Sequence, residues 1–192
     1  KDPARASLLS IEVRAVRSCL TQLEALDVKR KIFLMGNHEY RLQRYLCTKA
    51  PELFDMVEVH KLFELEENGW EWVPYREHLM LGQLALSHDF GSAGQTAHSK
   101  AAIKLGSSIV MGHTHRMAYV TRADLQRKLI SAAMFGWLGD FNAIDYASKA
   151  SVTTDWVHVF GVGYLYKNEI PILCPVPIID ERFCILEGEI VR

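Results

Sequence analysis

The chain has 192 residues, 49% of them hydrophobic and 23% charged, and its 22 basic and 23 acidic side chains leave a formal net charge of −1. That composition suits one globular domain with a real core and excludes a low-complexity chain. Near-zero charge, with no run of five like charges, speaks against a broad basic face for non-specific nucleic-acid binding, though a local basic rim stays open.

No 18-residue apolar run and no signal-peptide pattern occurs, so a soluble chain is expected, with no membrane partner. The four cysteines, Cys19, Cys47, Cys174 and Cys184, are scattered and form no C-x-x-C. Reduced thiols and a cytoplasmic location are the expectation.

Asp2 before Pro3 predicts a helix start, and Leu8, Leu9, Ile11, Val13, Val16, Cys19, Leu20 and Leu23 recur at threes and fours. That predicts an amphipathic helix to about Leu26, ending before Lys29-Arg30-Lys31. Lys31 to Met35 reads as a buried strand running into Gly36. A helix is expected over Arg41 to Cys47, a short one from Pro51, and an extended segment over Trp70 to Tyr75. Leu79 to Ser87, with Gly82-Gln83 at its centre, predicts a tight hairpin.

Gly91-Ser92-Ala93-Gly94 reads as a loop, and His98 to Leu105 as a helix with Ala101, Ala102 and Leu105 inward. Ser108 to Met111 is the next expected strand. Five further strands are predicted over 117–120, 128–133, 156–166, 170–179 and 183–186. Pro171, Pro175 and Pro177 push the fourth of these toward a sheet edge or an irregular course. With no repeat or linker, residues 1–192 read as a single domain, α/β first and mostly β later.

Three polar clusters stand where apolar runs stop. Gly36-Asn37-His38-Glu39 follows Ile32 to Met35, Ser87-His88-Asp89 follows Leu84 to Leu86, and Gly112-His113-Thr114-His115 follows Ile109 to Met111. Loops at strand ends are where α/β proteins place their chemistry. In an extended loop the one-residue spacing of His113 and His115 would point both imidazoles the same way, and Gly112 would let the backbone turn sharply. Asn37 offers a neutral oxygen and His88 a further nitrogen. This N/O donor set suits manganese, iron, zinc or nickel better than calcium or magnesium. His38 suits a proton donor better than a ligand, and Glu39 and Arg41 are candidate braces of the loop.

Other candidates have plainer readings beside them. Asp124, Asp140 and Asp145 lie in loop-like stretches where solvated carboxylates are the rule. His98 opens a helix, whereas His60, His78 and His158 lack a partner pattern and read as structural. Phe135-Gly136-Trp137 either stacks on a substrate base or fills a corner of the β-rich half, and corner packing is the expectation.

G-N-H-E, then an isolated His after a strand, then G-H-T-H, resembles the calcineurin-like metallophosphoesterase family. The strings Gly36-Asn37-His38-Glu39-Tyr40-Arg41-Leu42 and Gly112-His113-Thr114-His115-Arg116 resemble its bacterial and phage branch. The resemblance runs through the chain and implies an α/β fold, a four-layer α/β/β/α sandwich with two metals at the sheet edge. Asn37, His88 and His113 would then ligate one metal and His115 the other, with manganese the first choice. His38 would assist the leaving oxygen. The implied activity is hydrolysis of a phosphate ester, nucleic acid or other phosphodiester or a phosphomonoester, through a metal-bridging hydroxide.

The departures from that pattern are specific. The family's early D-x-H and G-D-x-x-D motifs, which supply two ligands of the first metal and a bridging carboxylate, are absent. The expectation is an N-terminally truncated member, and the alternative is an inactive fragment or degenerate homologue serving as a binding or structural domain. Asp89 stands where glycine is usual; it either orients His88 or faces solvent, with solvent favoured. Arg116 either meets a phosphate or is a surface charge.

Overall fold

In the computed structural model the described residues are 8–140, 155–167 and 169–192. They belong to a mixed α/β protein that gathers into two compact units, Lys1–Tyr75 and Arg76–Arg192. The Asp2-Pro3 helix start and Asp145 lie outside the described residues.

In the first unit, helix α1 (Leu8–Glu24) precedes strand β1 (Lys31–Leu34), helix α2 (Asn37–Lys49), a 3-10 turn (Pro51–Leu53), the short helix α3 (Val59–Leu62) and strand β2 (Trp70–Val73). β1 and β2 pair in parallel, Lys31 opposite Trp70 and Leu34 opposite Val73. Leu20, Met35, Val59, Phe63 and Leu65 form the buried cluster, with Val13, Val16, Phe33, Trp70 and Trp72 against it.

The inward stripe of α1 is narrower than its apolar sequence suggests. Val13, Val16 and Leu20 turn in, while Leu9, Ile11 and Leu23 are exposed. Arg17 and Glu24 share that stripe because they satisfy one another. Arg17 Nη1 donates to Glu24 Oε1 at 2.9 Å and to the Phe63 carbonyl at 2.9 Å, and Trp70 Nε1 donates to Glu24 Oε1 at 2.8 Å. The hydrogen bond from Arg17, assisted by that from Trp70, holds the Glu24 carboxyl below its usual range.

The second unit carries two sheets and a helix. Strands β3 (Leu79–Leu81), β4 (Leu84–Ser87), β5 (Ser108–Met111), β6 (Met117–Ala123) and β7 (Leu129–Phe135) form a sheet in the order β3-β4-β5-β7-β6. Strands β8 (Val159–Tyr166), β9 (Ile170–Ile179), β10 (Phe183–Leu186) and β11 (Glu189–Val191) form the other, in the order β11-β10-β9-β8. β4, β5 and β7 run parallel; β3 and β6 flank them antiparallel. Helix α4 (Ala97–Leu105) links β4 to β5, as a parallel pair requires.

Alternation along the central strands stacks the layers. Ala85, Ile109, Met111, Ala132 and Met134 face Ala97, Ala101 and Ala102 of α4. Their neighbours Leu84, Leu86, Val110, Ala133 and Phe135 face Leu165 and Leu173 of the second sheet. Both faces of the parallel strands are thereby covered, which is why they read as unbroken apolar runs. Leu105, expected inward, is 47% exposed, because the inward stripe of α4 ends at Ala102. Gly161 is required by this stacking, since a Cβ there would run into the Phe135 ring.

β9 lies between β8 and β10, yet β10 pairs only with Ile178 and Ile179. Ile178 N–H donates to the His158 carbonyl, so even-numbered residues of β9 direct N–H toward β8. Pro171, Pro175 and Pro177 are all odd-numbered, and their missing donors fall on the side that β10 does not reach.

Candidate metal centre

Parallel pairing fixes one end of the second unit's candidate site. Ser87 is opposite Met111 and Met111 opposite Met134, so the residues after β4, β5 and β7 leave the sheet at one carboxyl edge. His88, the Gly112 to His115 loop and the Gly136-Trp137 turn are brought together there. That edge is the usual ligand side of an open α/β sheet. The ring centres of His88 and His113 are 5.3 Å apart with their planes at 70°.

The loop after β5 is a turn and not the extended run expected from its spacing. His113 and His115 adopt left-handed backbone angles, φ +62° and +60°, and Thr114 N–H donates to the Gly112 carbonyl at 2.7 Å. Gly112 itself is not left-handed, and a Cβ there would make only ordinary contact with His88. Histidine is one of the few side chains that enters the left-handed region readily, and such residues gather at functional sites. The two imidazoles consequently find different neighbours. His113 meets His88, whereas His115 meets Trp156 at 4.3 Å and Trp137 at 5.5 Å. Buried Thr114 anchors the turn through its hydroxyl on Met134 Sδ at 3.0 Å.

The ring spacing of His88 and His113 is near that of two imidazoles on one transition-metal cation. With metal–nitrogen bonds of about 2.1 Å and about 1.1 Å from nitrogen to ring centre, two imidazoles on one cation set their centres about 4.5–5.2 Å apart. The 5.3 Å separation is close to the tetrahedral end of that range. His113 Nδ1, like His98 Nδ1, is buried and has no hydrogen-bond partner among the described residues. Among the described residues no three His, Cys, Asp or Glu side chains converge as a ready-made site.

Asn37, His38 and Glu39 belong to the first unit and form the opening turn of α2, not a loop. Glu39 Oε2 accepts the Gly36 N–H at 2.7 Å, so the carboxylate caps the helix on which Asn37 sits. His38, Glu39 and Arg41 line a groove of about 640 Å³ with Val13 and Val16 of α1, Leu62 of α3 and the following Phe63.

The remaining candidates have definite partners. Asp89 is half-buried; its Oδ1 accepts the Gly91 N–H at 2.6 Å and closes the loop after His88. Arg116 Nε donates to Asp155 Oδ2 at 3.1 Å, and Gln95 Nε2 donates to the same oxygen at 3.3 Å. Asp124 accepts the Lys128 N–H at 2.8 Å in the β6–β7 turn, and Asp140 is exposed. His60 lies on Trp72 with ring centres 4.4 Å apart and its Nε2 is 3.1 Å from Glu58 Oε2, while His158 Nε2 is 2.7 Å from the Gly139 carbonyl. His98 is buried in α4, and its burial, then the charge of Arg122, lowers its pKa.

Trp137 fills a corner, as its glycine neighbours suggest. Gly139 lies over its six-membered ring, and Gly136, at φ +43°, has no room for a Cβ against the Val157 carbonyl and Val159. Trp156, whose ring is nearest to His115, is preceded by no local motif, and nothing short of the tertiary structure singles it out. No protein-family model, no curated protein and no solved structure matches the chain.

Proposed function

We propose that this chain comes from a metal-dependent phosphoesterase of the calcineurin-like type, a four-layer sandwich whose intact form hydrolyses a phosphodiester or a phosphomonoester. The observation that carries the reading is the pair His88 and His113 at one carboxyl sheet edge, with His113 Nδ1 buried and without a hydrogen-bond partner among the described residues. The motif resemblance makes Asn37, His88, His113 and His115 the candidate ligands, with manganese favoured over iron, zinc or nickel. When bound, such cations supply Lewis acidity toward the phosphoryl oxygens and acidify a water toward neutrality.

The side chains do the rest. Neutral imidazole and amide donors leave the net positive charge of the centre available to an anionic ester. Glu39 holds the start of α2 and with it the backbone that carries Asn37 and His38. His38, exposed on that first turn, gives a hydrogen bond or proton to the departing oxygen. Arg41 is exposed on the same helix and suits an equatorial phosphoryl oxygen, whereas the charge of Arg116 is shared with Asp155.

The test is nitrophenol release from bis-p-nitrophenyl phosphate and p-nitrophenyl phosphate across manganese, iron, zinc and nickel. Metal-dependent release is expected, with His113→Ala losing both metal and activity. His38→Ala should lower kcat by about 10²–10⁴-fold at unchanged metal content. Metal lost together with activity in His38→Ala would make it a ligand. No release with any metal would favour a non-catalytic binding domain.

A further inference from the structure

Three separate stretches of the second unit meet on one oxygen. Arg116, directly after His115, donates from Nε to Asp155 Oδ2 at 3.1 Å, and Gln95, just before α4, donates from Nε2 to the same oxygen at 3.3 Å. Asp155 lies 39 and 60 residues away from them along the chain, ahead of β8. The backbone beneath is fixed: Gly136 N–H donates to the Arg116 carbonyl and Val157 N–H to the His115 carbonyl, both at 3.0 Å. Met117 is opposite Phe135, the last residue of β7, so Arg116 stands at the carboxyl edge that also carries His88 and His113. Arg116, Gln95 and Asp155 line a cavity of about 240 Å³ there, together with Met117 and Met134.

Thioethers donate no hydrogen bond, so the side-chain donors that line this cavity are a guanidinium and an amide. Two N–H donors aimed at a single oxygen suit a phosphoryl oxygen, and a guanidinium matches phosphate as well as carboxylate. Asp155 Oδ2 stands in the place of that oxygen. Its ion pair with Arg116 joins side chains that are 41% and 27% exposed, so solvent screens it and an incoming anion opens it at small cost. We propose that Arg116 and Gln95 form a clamp for a phosphoryl oxygen, with Asp155 as the internal competitor that the anion displaces. This deepens the phosphoesterase reading and rests on it for the chemistry of the anion. It involves no metal and only described residues of the second unit.

The experiment titrates inorganic phosphate into the full chain with EDTA present, following the Arg116 Nε–H and Gln95 side-chain amide signals by heteronuclear NMR. Thermal melts are recorded for every variant. In the wild type both signals should shift saturably. Asp155→Asn, which keeps the shape and removes the competing charge, is expected to tighten phosphate binding by about 5–10-fold, and Asp155→Ala to do the same. Adding Arg116→Gln to Asp155→Asn should abolish that gain. Gln95→Leu should weaken binding by about threefold, as loss of a neutral donor does.

Phosphate binding that neither Asp155 variant tightens, or a gain that survives Arg116→Gln, would overturn the clamp. So would phosphate that leaves the Arg116 and Gln95 signals unmoved in the wild type and in Asp155→Asn alike. Metal-dependent nitrophenol release, with phosphate binding unchanged in both Asp155 variants, sinks the clamp and leaves the phosphoesterase reading standing. Tightening in the Asp155 variants with no release under any metal keeps the clamp as an anion site and sinks the hydrolytic reading.

Discussion

The two units hold parallel strands in different ways. In the second, β4 and β5 each bury three of their four residues, because α4 covers one face and the four-stranded sheet the other. In the first, all four residues of β1 are only half-buried, and its sole partner among the described residues is β2. Parallel pairing is weak unless both faces are covered. The first unit makes up the difference with helix docking and with the Arg17–Glu24–Trp70 network. The lesson concerns the candidate residues. His88, His113 and His115 stand on a doubly covered sheet, whereas Asn37 and His38 stand on a helix whose unit rests on one cluster of five buried side chains.

The largest test of that contrast is Leu65→Ala. Leu65 is fully buried, and truncation of such a side chain costs about 2–5 kcal/mol. Amide protection measured by hydrogen exchange should fall at Lys31–Leu34 and Trp70–Val73 and persist at Leu129–Phe135. Equal loss at all three would show that the units unfold as one. Next comes Gly136→Ala, where a Cβ would meet the Val157 carbonyl and Val159 at a backbone angle that side chains avoid. Overpacking of this kind costs about 1–3 kcal/mol, and the loss should appear in β7 and β8. An unchanged melt would contradict the tight crossing of those strands.

The smallest effect concerns pH. Burial, and then the charge of Arg122, depresses the pKa of His98, so the folded chain binds the proton less tightly than the unfolded chain. The stability linked to this group is full above the ordinary value of about 6.5 and falls as pH drops below it, by at most about 1.4 kcal/mol per unit. Urea melts at descending pH should show that slope, and His98→Leu should remove it. A wild type whose stability does not fall from pH 7 to pH 5.5 relative to His98→Leu would mean that the imidazole is not held neutral.

Much of the second unit is legible without coordinates. The strands around 84–87, 108–111 and 183–186 and the α4 helix follow from apolar runs and turn residues, which are local properties. So is the corner-filling role of Trp137, since glycine on both sides implies close packing. The three polar clusters are visible for the same reason, because each stands where a strand pattern breaks off.

What the sequence by itself determines is therefore where chain segments begin and end and which chemistry they carry. Which apolar residues are buried was decided by tertiary packing. Ile11, Leu23 and Leu105 fit helical periodicity and are exposed, because each helix buries only the stripe that a neighbour covers. Tertiary packing also placed Arg116 against Asp155, 39 residues away. The divergence of His113 and His115 has the same origin. Two left-handed residues in succession around Thr114 are stabilised by contacts with Met134 and Val157, which no local pattern encodes. The alignment of His88 with His113 and of His115 with Trp156 required the parallel register of β4, β5 and β7, a long-range pairing whose stability comes from both covering layers.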